Sequence, residues 1–476
     1  MTMATAAKQR RARLVCTLGP ATATVERIRG LVEAGADIFR VNFSHGTPES
    51  HARLLAAVRE VEAALGLDLA VLADLPGPKI RLGALLAEPL SIALGQRFVL
   101  GPSGRGDGAG AATTHAGLAA DLKPGDHVFL SDGIVELVVR EERGLDLVTE
   151  CTRAGSVRAH AGLNAPAEKL SLPSITEADR AGLSEALAAG FDLVAQSFVR
   201  SAADVTALRA LMGERVVPIV AKIETRPAVR DIDSILAVAD AIMVARGDLG
   251  VEVPLEEVPL IQKDLVRAAR AAGKPVVVAT QMLESMTHAA RPTRAEASDV
   301  ANAILDGADA VMLSGETAIG EFPLEAARAA ARIAAMAEER GLCAESLRPP
   351  AADVAAATVH AAVEAAGDLA GVSAIACFTR SGATARLLAA VRPKAAVYAF
   401  APDATVRRAL RLAWGITALP AAVPADTDAM IAGMDRALVE RGLGVAGQLV
   451  VMVASSPVGK AHTNMIKVHV VGSPVR

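Results

Sequence analysis

The chain has 476 residues, 52% of them hydrophobic and 21% charged, with a formal net charge of -4. That balance excludes a disordered chain and any broad basic field able to collect nucleic acid or anionic lipid. At roughly one domain per 150 residues, the length predicts about three domains whose partners are small molecules or copies of the same chain.

The N-terminal MTMATAAKQRRAR carries basic residues with no apolar segment behind them, and no charge-free run reaches the ~18 apolar residues of a membrane span. Cys16, Cys151, Cys343 and Cys377 lack metal-ligand or CxxC spacing, as expected of buried thiols in a reducing compartment. The expectation is a cytoplasmic protein.

Near-continuous apolar runs, typical of strands buried on both faces, begin at residues 13–19 (RLVCTLG), 37–43 (DIFRVNF), 69–75 (LAVLADL) and 192–198 (DLVAQSF). They continue at 217–224 (VPIVAKIE), 241–248 (AIMVARGD), 275–282 (PVVVATQM) and 310–315 (AVMLSG), which makes eight. Amphipathic helices lie between most of them. In LIQKDLVRAARAAG, residues 260–273, the pattern predicts a buried face of Leu260, Ile261, Leu265, Val266 and Ala269, ended by Gly273. Eight alternations fit a (β/α)8 barrel, though alternation alone leaves an open doubly wound sheet in play. The polar residues favour the barrel: Arg40, Asn42, Asp74, Lys222, Glu224, Asp248, Thr280 and Ser314 all fall at or just after C-terminal strand ends, where barrels assemble their sites.

The third-to-fourth strand connection exceeds 100 residues, too long for a structureless loop. Its segments SIALGQRFVL, GDHVFLSDG, IVELVVR and LDLVTE predict an inserted all-β lid over 76–160, with a mobile Gly-rich loop at 101–112. The barrel then comprises 1–75 and 161–345. From 346 to 476, an alanine-rich helix followed by SAIACFT, AAVYAF, QLVVMVAS and KVHVV predicts a separate open-sheet α/β domain.

Glu224 and Asp248 would bring two carboxylates to the barrel mouth, which suits magnesium; they could equally cap the following helices. Lys222 shares a strand face with Glu224 by the period of two, either as a buried ion pair or as a cation for charge developing on a substrate. Arg40, Asn42 and Ser44 share another face, offering a phosphate fork and neutral oxygens, or a simple ion pair at Arg40.

Taken in order, VCTLGPAT, FRVNFSHG, ADLPGPKIR, SFVR, AKIET, MVARGDLGVE, ATQMLESM, RPTRAEASDVANA and DGADAVMLSGETA resemble the signature segments of pyruvate kinase. The likeness is specific from about 11 to 345 and looser to 476. It implies phosphoryl transfer from phosphoenolpyruvate to ADP, giving pyruvate and ATP, as the final step of glycolysis. In that reading Arg40 contacts the substrate phosphate, Lys222 stabilises the transition state, and Glu224 and Asp248 bind Mg2+. Gly247, Asp248 and Thr280 hold the substrate carboxylate; Asn42, Ser44, His45 and Arg81 match nucleotide-side positions. A proton reaches the enolate through a water near Thr280 and Ser314, while the lid closes to exclude bulk water.

Two departures stand out. Ala161 occupies a position where many relatives have a nucleotide-side lysine. At the monovalent-cation site implied by Asn42, Ser44, Asp74 and the carbonyl of residue 75, the usual threonine and glutamate are replaced by Leu75 and Lys79. The expectation is therefore no K+ requirement, Lys79 standing in for the cation. In the C-terminal domain Thr379, Ser381, Gly382 and Thr384 resemble the family's loop for a phosphorylated effector, the plainer alternative being a turn capped by Ser381. The resemblance also implies a homotetramer. Another enolpyruvate barrel such as a lyase would not need the lid or GPKIR, and a degenerate regulator would not keep Lys222, Glu224, Asp248 and Thr280.

Overall fold

The computed structural model, described over residues 10–340, 353–459 and 462–474, closes eight parallel strands into a barrel. Cys343 and the boundary expected at 345 lie outside the described residues. The strands are Arg13–Thr17, Ile38–Asn42, Ala70–Asp74, Leu193–Gln196, Ile219–Ile223, Ala241–Ala245, Val276–Ala279 and Ala310–Leu313. Closure is made by the first strand, which pairs Arg13 with Ala310 of the eighth and Val15 with Ile38 of the second.

Alternation along these strands sorts two packed layers. Val15, Ile38, Leu72, Leu193, Val220, Met243, Val277 and Met312 fill the barrel interior. Leu14, Phe39, Val71, Val194, Ile219, Ile242, Val278 and Val311 pack outward under the helices. Each such side chain, fully buried, contributes about 1.5–3 kcal/mol. The helices carry their own start and stop signals: Pro48–Leu65 begins at a reciprocal Thr47/Ser50 capping box and ends at Gly66 in the left-handed region.

Helix Val258–Ala271 corrects one expectation. Leu260 is 62% exposed, while the buried face runs through Val258, Gln262, Leu265, Val266 and Ala269. Gln262 is buried because its amide has partners, Asp306 Oδ2 at 3.1 Å and Arg246 Nη1 at 3.3 Å. Hydropathy alone cannot see such bonds.

The lid leaves after the third strand as a seven-stranded sheet beside a small two-stranded one. Its return strand, Gly162–Asn164, pairs with both Ile80–Arg81 and His127–Leu130, so the lid runs past the expected boundary at 160. The Gly-rich stretch expected as a loop contains strand Gly110–Ala111, paired with Val99 and Leu100. Gly110 is required there, since a Cβ would stand 2.4 Å from the Val99 carbonyl oxygen.

The C-terminal domain is a five-stranded sheet flanked by helices and includes Ile416–Pro420, which the apolar pattern missed. It docks on the N-terminal end of the barrel, where Leu412 joins the interior core. Around that contact Arg392 pairs with Asp309 at 2.9 Å, Arg407 with Asp68 at 2.9 Å and Arg408 with Glu62 at 2.8 Å. Trp414 lies between the guanidiniums of Arg11 and Arg392, 5.1 and 4.7 Å from its ring centre, and donates its indole N–H to Glu338. Among the described residues no helix is long and apolar enough to cross a membrane.

Candidate active site

At the C-terminal ends of the strands the predicted polar residues converge on one charged cluster. Lys222 Nζ lies 2.8 Å from Glu224 Oε1, 3.4 Å from Asp74 Oδ1 and 2.7 Å from Ser197 Oγ. Arg40 donates to Asp74 Oδ2 at 2.7 Å and to Thr17 Oγ1 at 3.2 Å. The ion pairs left open for Lys222 and Arg40 are therefore both present.

Two cations and two buried carboxylates are packed against one another here. Burial opposes ionisation of Asp74, but Lys222 and Arg40 keep its carboxyl below the ordinary range. Burial likewise opposes the Lys222 charge, and Asp74 with Glu224 more than restores it, raising its pKa. Glu224 is fully buried and pushed upward by that burial, Lys222 pulling it down and Asp248 pushing it further up. Its Oε2 accepts the Phe198 N–H at 2.8 Å, aimed there by a left-handed backbone with φ of 53°. Its Oε1 faces the Lys222 ammonium at 2.8 Å in a buried ion pair. A buried carboxylate of this kind is a hard oxygen donor of the type a divalent cation takes.

Asp248 sits in the first turn of helix Arg246–Glu252. Lys79 approaches it at 3.4 Å and the lid residue Asp132 at 3.7 Å. This corrects the placement expected for Lys79: its ammonium bridges Asp132 of the lid and Asp248 of the barrel, away from Asp74. Asp74 has Arg40 and Lys222 instead, and the Leu75 carbonyl accepts the Ser197 hydroxyl at 2.7 Å. Among the described residues no three His, Cys, Asp or Glu cluster as a metal site. A metal held by Glu224 and Asp248 would need oxygens from the substrate to complete its shell.

Thr280 stands beside Gly247, whose N–H it accepts at 2.8 Å. Its φ of 70° is rare for a β-branched residue and costs on the order of 1–2 kcal/mol. Arg246 holds the strained turn through the Thr280 carbonyl at 2.7 Å, anchored in turn on Asp299 at 2.7 Å. Ser314 follows the eighth strand with its N–H bonded to Glu316 at 2.6 Å, and Glu316 also accepts the Leu283 N–H at 3.0 Å. Ser197, Arg246 and Glu316 are thus site residues that sequence reasoning passed over, although SFVR, ARGD and SGET each contained one.

Among the residues expected on the nucleotide side, Asn42 Oδ1 accepts the Ser44 N–H at 3.1 Å, and His45 is exposed in the same turn. Arg81 donates to the His160 carbonyl at 3.1 Å, and the Ala161 carbonyl accepts the Leu82 N–H at 2.9 Å. Between lid and barrel runs a cleft of about 570 Å3, bordered by Asp132, Glu136, Arg226 and Glu252.

The phosphate loop expected in the C-terminal domain lies at the start of helix Ala383–Val391, on the opposite end of the barrel from this cluster. Its N-cap is Gly382 in the left-handed region, where Ser381 was the alternative. Thr379 Oγ1 accepts the Gly382 N–H at 2.9 Å and Thr384 bonds Thr463 at 2.6 Å, while Ser381 is exposed.

The family model "Pyruvate kinase, barrel domain" matches residues 9–327, and "Pyruvate kinase, alpha/beta domain" matches 356–469. The chain belongs to the pyruvate kinase family. It is a phosphotransferase of that family. Pyruvate kinases of Corynebacterium efficiens and Mycobacterium tuberculosis are each 43% identical to it, over 98% and 97% of this chain and 99% of theirs. The crystal structure of a pyruvate kinase from Cryptosporidium parvum superposes with a TM-score of 0.89 at 33% identity, covering 98% of this chain and 97% of that one.

Proposed function

We propose that this pyruvate kinase transfers the phosphoryl group of phosphoenolpyruvate to ADP with Arg40, Lys222, Glu224 and Asp248 at the reacting centre. The observation that carries this reading is the fully buried Glu224 carboxylate paired with the Lys222 ammonium at 2.8 Å, both walled in at the barrel mouth with Asp248 acting on the same carboxyl. Glu224 and Asp248 would hold Mg2+, which when bound supplies electrostatic stabilisation of the transferring group and of the keto-acid oxygens. Arg40 reorients part of its fork from Asp74 to the substrate phosphate. Lys222, kept charged by its two carboxylates, faces the oxygen on which enolate charge develops. Gly247 and the strained Thr280 turn offer N–H and hydroxyl groups to the substrate carboxylate, and Thr280 with Ser314 orients the water that delivers a proton to the methylene carbon. Asn42, Ser44, His45 and Arg81 take the nucleotide. The lid, tied to the barrel through Asp132 and Lys79, excludes water from the transfer.

Independence from K+ belongs to the same reading, on revised grounds. Asp74 is already neutralised by two cations and the residue-75 carbonyl is already bonded, so little negative potential is left for a monovalent ion. A homotetramer is supported by the edge strand Met465–Val470, which exposes Ile466, Val468 and Val470 along one row. A phosphorylated effector at Thr379–Thr384 and a cytoplasmic location complete the proposal.

A lactate-dehydrogenase-coupled assay with phosphoenolpyruvate, ADP and Mg2+ tests it, with K+ replaced by tetramethylammonium. Near-full activity without K+ is expected. Stimulation of the wild type by more than about tenfold, equivalent to about 1.4 kcal/mol, would exclude K+ independence.

A further inference from the structure

The turn Asn42–Gly46 leads from the second barrel strand into helix Pro48–Leu65. His51, in the first turns of that helix, is 5% exposed, and nothing in the chemistry above uses it. Its Nδ1 lies 2.7 Å from Glu185 Oε1 and its Nε2 lies 2.7 Å from the His45 carbonyl oxygen. Both neighbours are acceptors. A carbonyl oxygen brings no proton of its own, so Nε2 must carry a hydrogen and donate it, while a second proton is shared between Nδ1 and Glu185. That occupancy leaves Nε2 without a lone pair for proton abstraction. The ring is built to hold backbone.

The surroundings agree. Phe43 stacks on the imidazole at 4.2 Å between ring centres, with planes 25° apart. Gly46 closes the turn at φ of 87°, where a Cβ would stand 3.0 Å from His51 Nε2 and 2.6 Å from Ser50 Oγ. Glu185 comes from helix Glu177–Ala189, and the same face of that helix reaches the lid hinge. Asp179 accepts the Gly77 N–H at 2.8 Å, and Gly182 packs so that a Cβ would meet Leu75 and Phe43 at 3.2 Å.

We propose that His51 is a positioning residue for ADP: by donating to the His45 carbonyl it holds the turn that presents Asn42, Ser44 and His45 to the nucleotide, and Glu185 ties that turn to the helix bearing the lid hinge. This rests on the assignment of that turn to the nucleotide side. The substrate affected is the nucleoside diphosphate, because His51 touches none of the groups around Lys222.

Steady-state kinetics of His51→Phe, His51→Gln and His51→Asn test the proposal. Phenylalanine keeps a ring in the stack without a donor, glutamine carries an N–H near the Nε2 position, and asparagine carries one near Nδ1 only. His51→Phe is expected to raise KM for ADP about tenfold, the scale of one lost buried hydrogen bond, with KM for phosphoenolpyruvate within about twofold. His51→Gln should recover most of the loss and His51→Asn little of it. If His51→Phe folds poorly in thermal melts, the glutamine and asparagine pair still decides, since both are polar and differ in which bond they keep. Unchanged KM for ADP, equal effects of glutamine and asparagine, or equal rises for both substrates would overturn the proposal. Asn42→Ala separates the two layers of inference: if it too leaves KM for ADP unchanged, the nucleotide-side assignment falls; if it raises KM while His51→Phe does not, His51 alone loses its role.

Discussion

Glu252 supplies a thermodynamic test of the lid-to-barrel cleft. Burial pushes its carboxyl from the ordinary 4.5 up to about 7; the backbone N–H groups of Arg226 and Ala167 offset part of this and Glu168 adds to it. A rise of that size is worth about 3 kcal/mol at 1.36 kcal/mol per pH unit, and water reaching the cleft reduces it to about 1–3 kcal/mol. The sign follows from a raised folded value: below the ordinary glutamate range both states are protonated and nothing is lost. As pH climbs toward 7 the unfolded chain ionises first, so stability falls through that window and is level above it. Glu252→Gln has no such slope. With about 2.1 cal/mol/K of unfolding entropy per residue, the variant should melt about 1–3 °C above wild type near pH 8 and level with it near pH 4. Thermal melts of both proteins across that range provide the measurement. A difference that stays flat with pH, or that grows toward acid, would refute the claim that Glu252 is buried at a cost.

Lys222→Met is expected to lower kcat at least about a hundredfold, the 2.7–4 kcal/mol scale of one transition-state donor, while substrate and Mg2+ binding change little; titration of binding alongside kcat separates the two. Glu224→Gln and Asp248→Asn should each shift the Mg2+ activation midpoint sharply upward, and unchanged midpoints in both would move the metal elsewhere. Ser381→Ala combined with Thr384→Ala should blunt the response to sugar phosphates or nucleotides at an unaltered effector-free rate, as read from activity across a metabolite panel; Thr384→Ala also loses the bond to Thr463, so melting is measured alongside.

The barrel was readable because strands buried on both faces must be apolar throughout, and the candidate site could be put forward because Arg40, Asn42, Asp74, Lys222, Glu224, Asp248 and Thr280 gather at the C-terminal ends of those runs. Lys222 and Glu224 needed nothing beyond the strand period. Strand Ile416–Pro420 was missed because it is short and follows Gly415 and ends in proline, which reads as a turn. The partner of Lys79 was hidden for a different reason: Asp132 and Asp248 are distant in sequence, and only packing of lid on barrel brings them to one ammonium. The same holds for Ser197 and Arg246, whose roles are set by what lies across the mouth. The length of the lid was underestimated by its last strand because GLN carries too few residues to show alternation.

Trp414 is the single tryptophan of the chain, and it sits in the seam between barrel and C-terminal domain, stacked by two guanidiniums and bonded to Glu338. The protein therefore carries an intrinsic fluorophore at the one contact whose rearrangement is hardest to observe by activity. Cations close to an indole quench and shift its emission, so any rotation of the two domains that withdraws Arg11 or Arg392 registers as an optical change in the unlabelled enzyme. Arg392 ends the helix that starts at Gly382 and pairs with Asp309 at the foot of the eighth strand. A ligand seated near Ser381 would thus be reported by light from a residue it never touches.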